Sequence, residues 1–434
     1  MSAVDRFDQR FLGLLEELGA ATYPDYFDDA LEGAMRPTQR PAWTFPERWL
    51  PMGVLAQPRA AVPSLPWRTI GLVAILLVLL AAVAAFVGSR RVPDPFGPAA
   101  NGVIAGARDG DIYVHDAAGG TQWLVVGGDA TDVYPLFSLD GARLAFLRLE
   151  PDEADGGTLF VSAADGSGLR ALLGPEQFQS AAWSPSSDRL AVITGEEQRE
   201  LWIVPVDGSA PTGPLDLAGV IPISDVLWRP PDGREIIFKG RDQGLYGIYA
   251  IAADGSGSPR QLIANNDERR LAGAYRASPD GSLLGYTDVG PTVQARILDL
   301  DTGALLPFGQ RFPALPNPGS GPAHSGGPVF SPDGKQIVFG RYWDERGGEI
   351  NHRLWITTAD SNGSDAFAIG PLHRSRGGHD PFWYTFAPDG KNVLILGNES
   401  REAWLAPVDR TDPQSLEVDW GLLSDPPEWQ RLAP

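Results

Sequence analysis

Along residues 101–434, short apolar runs are separated by polar turn residues at regular spacing, the pattern of short, partly buried strands. One phrase punctuates the pattern: an aromatic or small apolar residue followed by Ser-Pro-Asp-Gly or a near variant. It reads Phe137-Ser138-Leu139-Asp140-Gly141, Trp183-Ser184-Pro185 and Trp228-Arg229-Pro230-Pro231-Asp232-Gly233. It returns as Ala277-Ser278-Pro279-Asp280-Gly281, Phe330-Ser331-Pro332-Asp333-Gly334 and Phe386-Ala387-Pro388-Asp389-Gly390. Successive anchors lie 46, 45, 49, 53 and 56 residues apart. A period of that size means one supersecondary unit copied many times.

Within each unit the anchor ends a first strand and Ser-Pro-Asp-Gly turns the chain, Pro pre-setting φ and Gly tolerating positive φ. An apolar second strand follows, as in Leu144-Ala145-Phe146 or Ile337-Val338-Phe339. A third strand recurs seven times, as in Ile112-Tyr113-Val114, Leu201-Trp202-Ile203 and Leu354-Trp355-Ile356. Asp-Gly-Ser turns such as Asp165-Gly166-Ser167 lead to a short fourth strand. Four strands at this period predict a propeller blade. The first unit lacks its anchor, and Trp429 near the C-terminus supplies one. We therefore expect the tail to pair with the strand around Val103 and close the ring, which leaves no open sheet edge. The expected fold is an all-β, seven-bladed β-propeller; six or eight blades stay open because residues 292–322 are irregular.

The repeated phrase and its matched third strands resemble the TolB-like β-propellers, a WD-repeat-like class, over about residues 101–434. Two departures stand out: Trp183 is followed by Ser-Pro-Ser-Ser, and Ala277 replaces the aromatic anchor. The resemblance implies the fold. It leaves activity open, because propellers of this class serve as protein-binding scaffolds, sensor modules and non-catalytic domains of serine peptidases.

Ahead of the repeats, residues 69–88 carry no charge and would span roughly 30 Å as a helix, the thickness of a bilayer core. Arg68 and Arg90-Arg91 bracket this predicted transmembrane helix, with Trp67 at one interface. The chain then divides into a helical N-terminal segment (1–50), a Pro-containing linker (51–68), the span (69–88), a stalk (89–100) and the propeller (101–434). In the first segment, Phe7, Phe11, Leu14, Leu15 and Leu18 mark one amphipathic helix, and Pro24–Ala34 a second. Flanking charges do not orient the span. The resemblance implies a cytoplasmic N-terminus and an extracytoplasmic propeller at the cell membrane.

Charge and composition narrow the partners. The net charge is −20, and the segment before the span holds nine acidic and seven basic residues, so the excess lies in the propeller. Such a surface repels phosphate backbones, and no nucleic-acid partner is expected. With no cysteine and with His115 as the first histidine, the N-terminal segment cannot hold the zinc of metal-binding anti-sigma regulators, whose layout the chain otherwise resembles.

Candidate chemistry is sparse. No Gly-x-Ser-x-Gly elbow and no phosphate-binding Gly-x-x-x-x-Gly-Lys run occurs, and the Asp-Gly-Ser copies read as turns. Four of the five histidines, however, lie between His324 and His379. The expected topology puts His324, Trp343, Asp344, Glu345, Arg346, His352, His373, Arg374, Arg376, His379 and Asp380 in long connections on one face. They would surround one end of the central channel on two adjacent blades. The binding residues proposed from this are His324, Trp343, Glu345, His373, Arg374, Arg376, His379 and Asp380. His324, His373, His379 and Asp380 are the ligands a metal would use there, although no metal and no cofactor is expected. The function expected is non-enzymatic binding of a protein, peptide or other ligand, or sensing, by a membrane-anchored propeller. One alternative is a transmembrane regulator signalling through its N-terminal helices. The other is a channel-centred hydrolase or lyase.

Overall fold

The computed structural model describes residues 94–116, 121–149, 156–196, 199–264, 270–290, 292–315, 323–344, 350–375, 382–397, 402–416 and 428–433, with Val73 and Ile75. From Ala100 to Leu432 these residues form seven antiparallel sheets, numbered here as blades in chain order and each written from its innermost strand outward. Blade 1 is Glu428–Leu432, Ala100–Arg108, Asp111–His115 and Gln122–Val126. Blade 2 is Thr131–Phe137, Arg143–Leu149, Gly157–Ala163 and Arg170–Glu176, and blade 3 is Phe178–Trp183, Arg189–Thr194 and Glu200–Pro205. Blade 4 is Ile221–Trp228, Glu235–Asp242, Leu245–Ala252 and Arg260–Ala264. Blade 5 is Arg270–Ala277, Leu283–Val289 and Val293–Asp299. Blade 6 is His324–Phe330, Gln336–Asp344, Ile350–Thr358 and Phe367–Ser375, and blade 7 is Phe382–Phe386, Asn392–Gly397, Ala403–Pro407 and Gln414–Leu416. In blades 3 and 5 single bridges, Ile203 with Thr212 and Leu298 with Leu305, stand where a fourth strand would be.

The ring closes where the repeats predict. Trp429 pairs with Ile104 and Leu432 with Ala100, so the C-terminal strand becomes the innermost strand of the first blade. Seven apolar clusters, one between each pair of neighbouring blades, make the core. Alternation along the strands produces this: in blade 6, Ile337, Phe339 and Trp355 pack towards blade 5, while Val338, Leu354 and Ile356 pack towards blade 7. Aromatics of the innermost strands, the anchors Trp183 and Trp228 and also Tyr384, tie neighbouring blades. Trp183 Nε1 donates to Leu136 O at 3.0 Å, Trp228 Nε1 to Ala182 O at 3.0 Å, and Tyr384 Oη to Gly327 O at 2.6 Å.

The Ser-Pro-Asp-Gly turns are hydrogen-bonded knots. Ser138 Oγ donates to Asp140 and accepts the Arg143 N–H at 2.9 Å, and Ser278 and Ser331 repeat this with Leu283 and Gln336 at 2.9 Å. Where Ser187 replaces the turn glycine, it takes the positive φ itself (56°), and its Oγ accepts the Asp140 N–H of blade 2 at 3.1 Å. Gly281 is required twice over. Its φ is 71°, and a Cβ there would lie 1.8 Å from Pro230 O of the neighbouring turn. Gly281→Ala is therefore expected to cost about 2–4 kcal/mol in urea denaturation. Gly303, at φ 72° with nothing within 4 Å of a Cβ, is the control and is expected to cost only about 1 kcal/mol. Equal losses would contradict the close packing of the turns.

No helix among the described residues is long and apolar enough to cross a membrane. Of residues 69–88 only Val73 and Ile75 are described, both helical. The N-terminal helices, the linker, the rest of the span and residues 89–93 of the stalk lie outside the described residues.

Candidate functional site

In each blade the innermost strand runs towards the face formed by the anchor turns. The opposite face receives the starts of the innermost strands and the connections between second and third strands. Three strands of blade 6 are nine residues long, and they carry polar residues to that opposite face. This corrects one expectation: His324, Trp343, Asp344, His352, His373 and Arg374 lie in strands, not connections. Buried polar residues such as Asn351 and His352 break the apolar alternation that would have marked the strands' full length.

Register places four rings on one rung. His324 pairs with Tyr342, Tyr342 with His352, and His352 with His373. Directly paired residues share a face, and alternation with Val338 and Leu354 turns Tyr342 and His352 towards blade 7, while His324 on the innermost strand reaches blade 5. The His324 and Tyr342 rings stack at 4.8 Å and 8°, and Tyr342 and His352 at 5.6 Å and 19°. His324 Nδ1 accepts the Val293 N–H of blade 5 at 3.1 Å, so the neutral ring carries its proton on Nε2. Burial pushes the Tyr342 phenol up to about 12, so it stays protonated and able to donate. Across four strands the row spans about 14 Å. It runs radially from the innermost to the outermost strand of one blade, instead of around the channel mouth on two blades as expected.

The other expected residues divide. Trp343, Asn351 and Arg374 form the adjoining rung, whose alternation turns it to the face towards blade 5; Trp343 and Asn351 are each 2% exposed. Arg341 lies buried on that side, its guanidinium 5.1 Å from the Phe312 ring and 4.6 Å from the Trp355 ring. Its Nη1 donates to Pro313 O at 2.9 Å. Burial lowers this group to about 10, which leaves it protonated at neutral pH. Arg341 thus pins the segment after Phe308 in blade 5 against blade 6. Glu345, Arg346, Arg376, His379 and Asp380 lie outside the described residues. Among the described residues, no three His, Cys, Asp or Glu side chains converge as a metal would need.

The spacing argument missed Tyr342, the centre of the stacked row. Its signal was available, because Tyr342 and His352 stand at matched distances from the Gln336 and Thr358 ends of two paired strands. It also missed the pair at the same face of blade 2. There Arg148 Nε and Nη2 donate to the fully buried Asp132 carboxylate at 2.7 and 2.9 Å, with the guanidinium 5.0 Å from the Phe160 ring. The blade 6 row offers imidazole and phenol groups that can donate or accept, with His324, Tyr342 and His373 partly exposed and His352 buried between them. Such a row suits hydrogen bonding to an extended polar chain.

No family model and no curated protein matches the sequence. Solved structures do resemble the fold. TolB from Acinetobacter baumannii is 15% identical over 75% of this chain and 81% of that chain, with a TM-score of 0.39. A periplasmic gluconolactonase from Pseudomonas aeruginosa is 15% identical over 76% of this chain and 99% of that one, with a TM-score of 0.49. An oligogalacturonate lyase from Vibrio parahaemolyticus is 13% identical over 74% of this chain and 90% of that one, with a TM-score of 0.50. At these identities the likeness shows the fold alone. It nonetheless corrects the expectation that the chain is not an enzyme: an enzyme shares this architecture, so the fold gives that expectation no support. The chain is a seven-bladed β-propeller, with TolB-like propellers among its structural neighbours.

Proposed function

We propose that this chain is a membrane-tethered propeller that binds a protein or peptide partner on the face opposite its anchor turns, along blade 6. The observation that carries the reading is the row His324–Tyr342–His352–His373, four ring side chains on one rung of the blade with the longest strands. An extended segment lying along that row could exchange backbone hydrogen bonds with imidazole nitrogens and the Tyr342 hydroxyl. The described chain enters the propeller on the other face: Ala99 N donates to Pro388 O at 2.8 Å, beside an anchor turn. The uncharged stretch 69–88 supports the tether, and the charge balance disfavours nucleic acid. We place the N-terminus in the cytoplasm and the propeller outside.

The test uses the full-length chain in detergent, with proximity labelling to identify a partner and a titration to measure its affinity. His324→Gln with His373→Gln is expected to weaken the identified partner at least tenfold, while Arg234→Gln on the anchor-turn face leaves it unchanged. Equal affinity for all three proteins would sink the reading of blade 6. Release of the chain from membranes by alkaline carbonate, with 69–88 intact, would sink the tether.

A further inference from the structure

A second, independent feature lies on the anchor-turn face between blades 2 and 3. A cavity of about 580 Å³ opens there, lined by Arg143, Arg170, Asp188, Arg189, Val206 and Asp207 among others. The volume lies within the usual range for ligand sites. Three guanidinium groups in one groove are notable on a chain of net charge −20.

The balance of donors and acceptors indicates what the groove would take. Asp188 accepts the Ser186 hydroxyl at 2.6 Å, the Ser184 hydroxyl at 3.0 Å and Arg189 Nε at 3.2 Å. Burial pushes this carboxyl up, but those bonds outweigh it and hold it below its ordinary value. Asp207 accepts the Ser209 N–H at 2.9 Å and hydroxyl at 2.7 Å, which holds it low as well. Both acids are thus occupied, by the hydroxyl and N–H groups of their own turns and by the neighbouring charges of Arg189 and Arg170. The arginines are anchored by only part of their donor set. Arg143 Nη1 donates to Ser187 O at 3.1 Å and lies 3.6 Å from Asp140, while Arg170 Nη1 donates to Val206 O at 3.0 Å. Arg189 spends Nε on Asp188 and lies 5.9 Å from the Trp228 ring. Each guanidinium has five N–H donors, so most of this capacity faces no acceptor among the described residues. These anchors hold the arginines in place before any ligand arrives, which lowers the ordering cost of binding.

The geometry points to a docking groove for an acidic peptide segment, whose carboxylates pair with Arg143, Arg170 and Arg189 across the junction of blades 2 and 3. Arginine suits this role because its planar fork matches a carboxylate bidentately. A peptide carrying several carboxylates offers each of the three guanidiniums a partner of its own.

The probe is a fluorescein-labelled hexaglutamate peptide, titrated against the full-length chain in detergent and read by fluorescence anisotropy. Arg143→Gln with Arg189→Gln is expected to weaken binding at least tenfold, and Arg234→Gln, on a turn of blade 4, less than twofold. Because Arg143 also bridges two blades, the single change Arg189→Gln, at a half-exposed side chain, serves as the variant that keeps the fold; it is expected to weaken binding at least threefold. Inorganic phosphate is expected to compete only at more than a hundredfold higher concentration than unlabelled peptide. Binding insensitive to Arg189→Gln would overturn the proposal, and so would phosphate that competes as well as the peptide. Neither result bears on the blade 6 row, which lies on the opposite face.

Discussion

Replacing Trp429 by alanine is expected to lower the unfolding free energy by about 3–5 kcal/mol. Trp429 is 7% exposed and packs with Ile104, Ala387, Leu394, Leu396 and Ala403, the cluster that joins blade 7 to blade 1. Its Nε1 also donates to Gly102 O at 3.1 Å. Truncation removes a large buried ring, opens a cavity and leaves that carbonyl without its donor. The consequence extends beyond one contact, because Trp429 belongs to the strand that covers the edge of Ala100–Arg108. Trp429→Phe keeps most of the apolar surface and is expected to lose about half as much. Urea denaturation followed by tryptophan fluorescence and circular dichroism reads both variants. A Trp429→Ala protein as stable as the parent would mean that the C-terminal strand does not close the ring.

Asp132→Ala is expected to cost a similar amount, about 3–5 kcal/mol. Asp132 is fully buried and accepts two bonds from Arg148, so its loss leaves a partly buried guanidinium without that carboxylate. The penalty belongs mainly to the stranded charge. Removing the charge as well, with Asp132→Ala and Arg148→Met together, is therefore expected to recover at least half of the loss, since methionine can still cover Phe146 and Phe160. A double variant as unstable as the single one would assign the effect to packing instead.

Blade count and ring closure were legible because they rest on local chemistry that repeats. A Ser-Pro-Asp-Gly turn needs the same side chains wherever it occurs, and an unmatched third strand around Ile112 implied a missing anchor, which Trp429 supplied. Even the departure at Ser186-Ser187 was readable as a turn, since Ser187 only takes over the glycine's conformation. The candidate site was harder to read. Which blade face a residue joins depends on strand register, and a shift of one position moves it to the other side. His352 and Trp343 therefore looked like members of one cluster, whereas alternation separates them. The groove between blades 2 and 3 was hidden for a related reason. Arg143 and Arg189 each stand six residues after their anchors, Phe137 and Trp183, so they occupy the same repeat position. Only the stacking of adjacent blades brings them to one cavity with Arg170.

Ring closure supports both faces just described, and the absence of any native cysteine makes it open to a direct test. Ala100→Cys with Leu432→Cys places two thiols at paired positions of the closing strands. Ala100→Cys with Gln414→Cys, whose second position lies in the outermost strand of blade 7, is the control. Under mild oxidation the first pair is predicted to form an intramolecular disulfide, seen as a reductant-sensitive mobility shift on a denaturing gel, while the control pair does not. A first pair that stays reduced, or crosslinks no faster than the control, would contradict the closed ring.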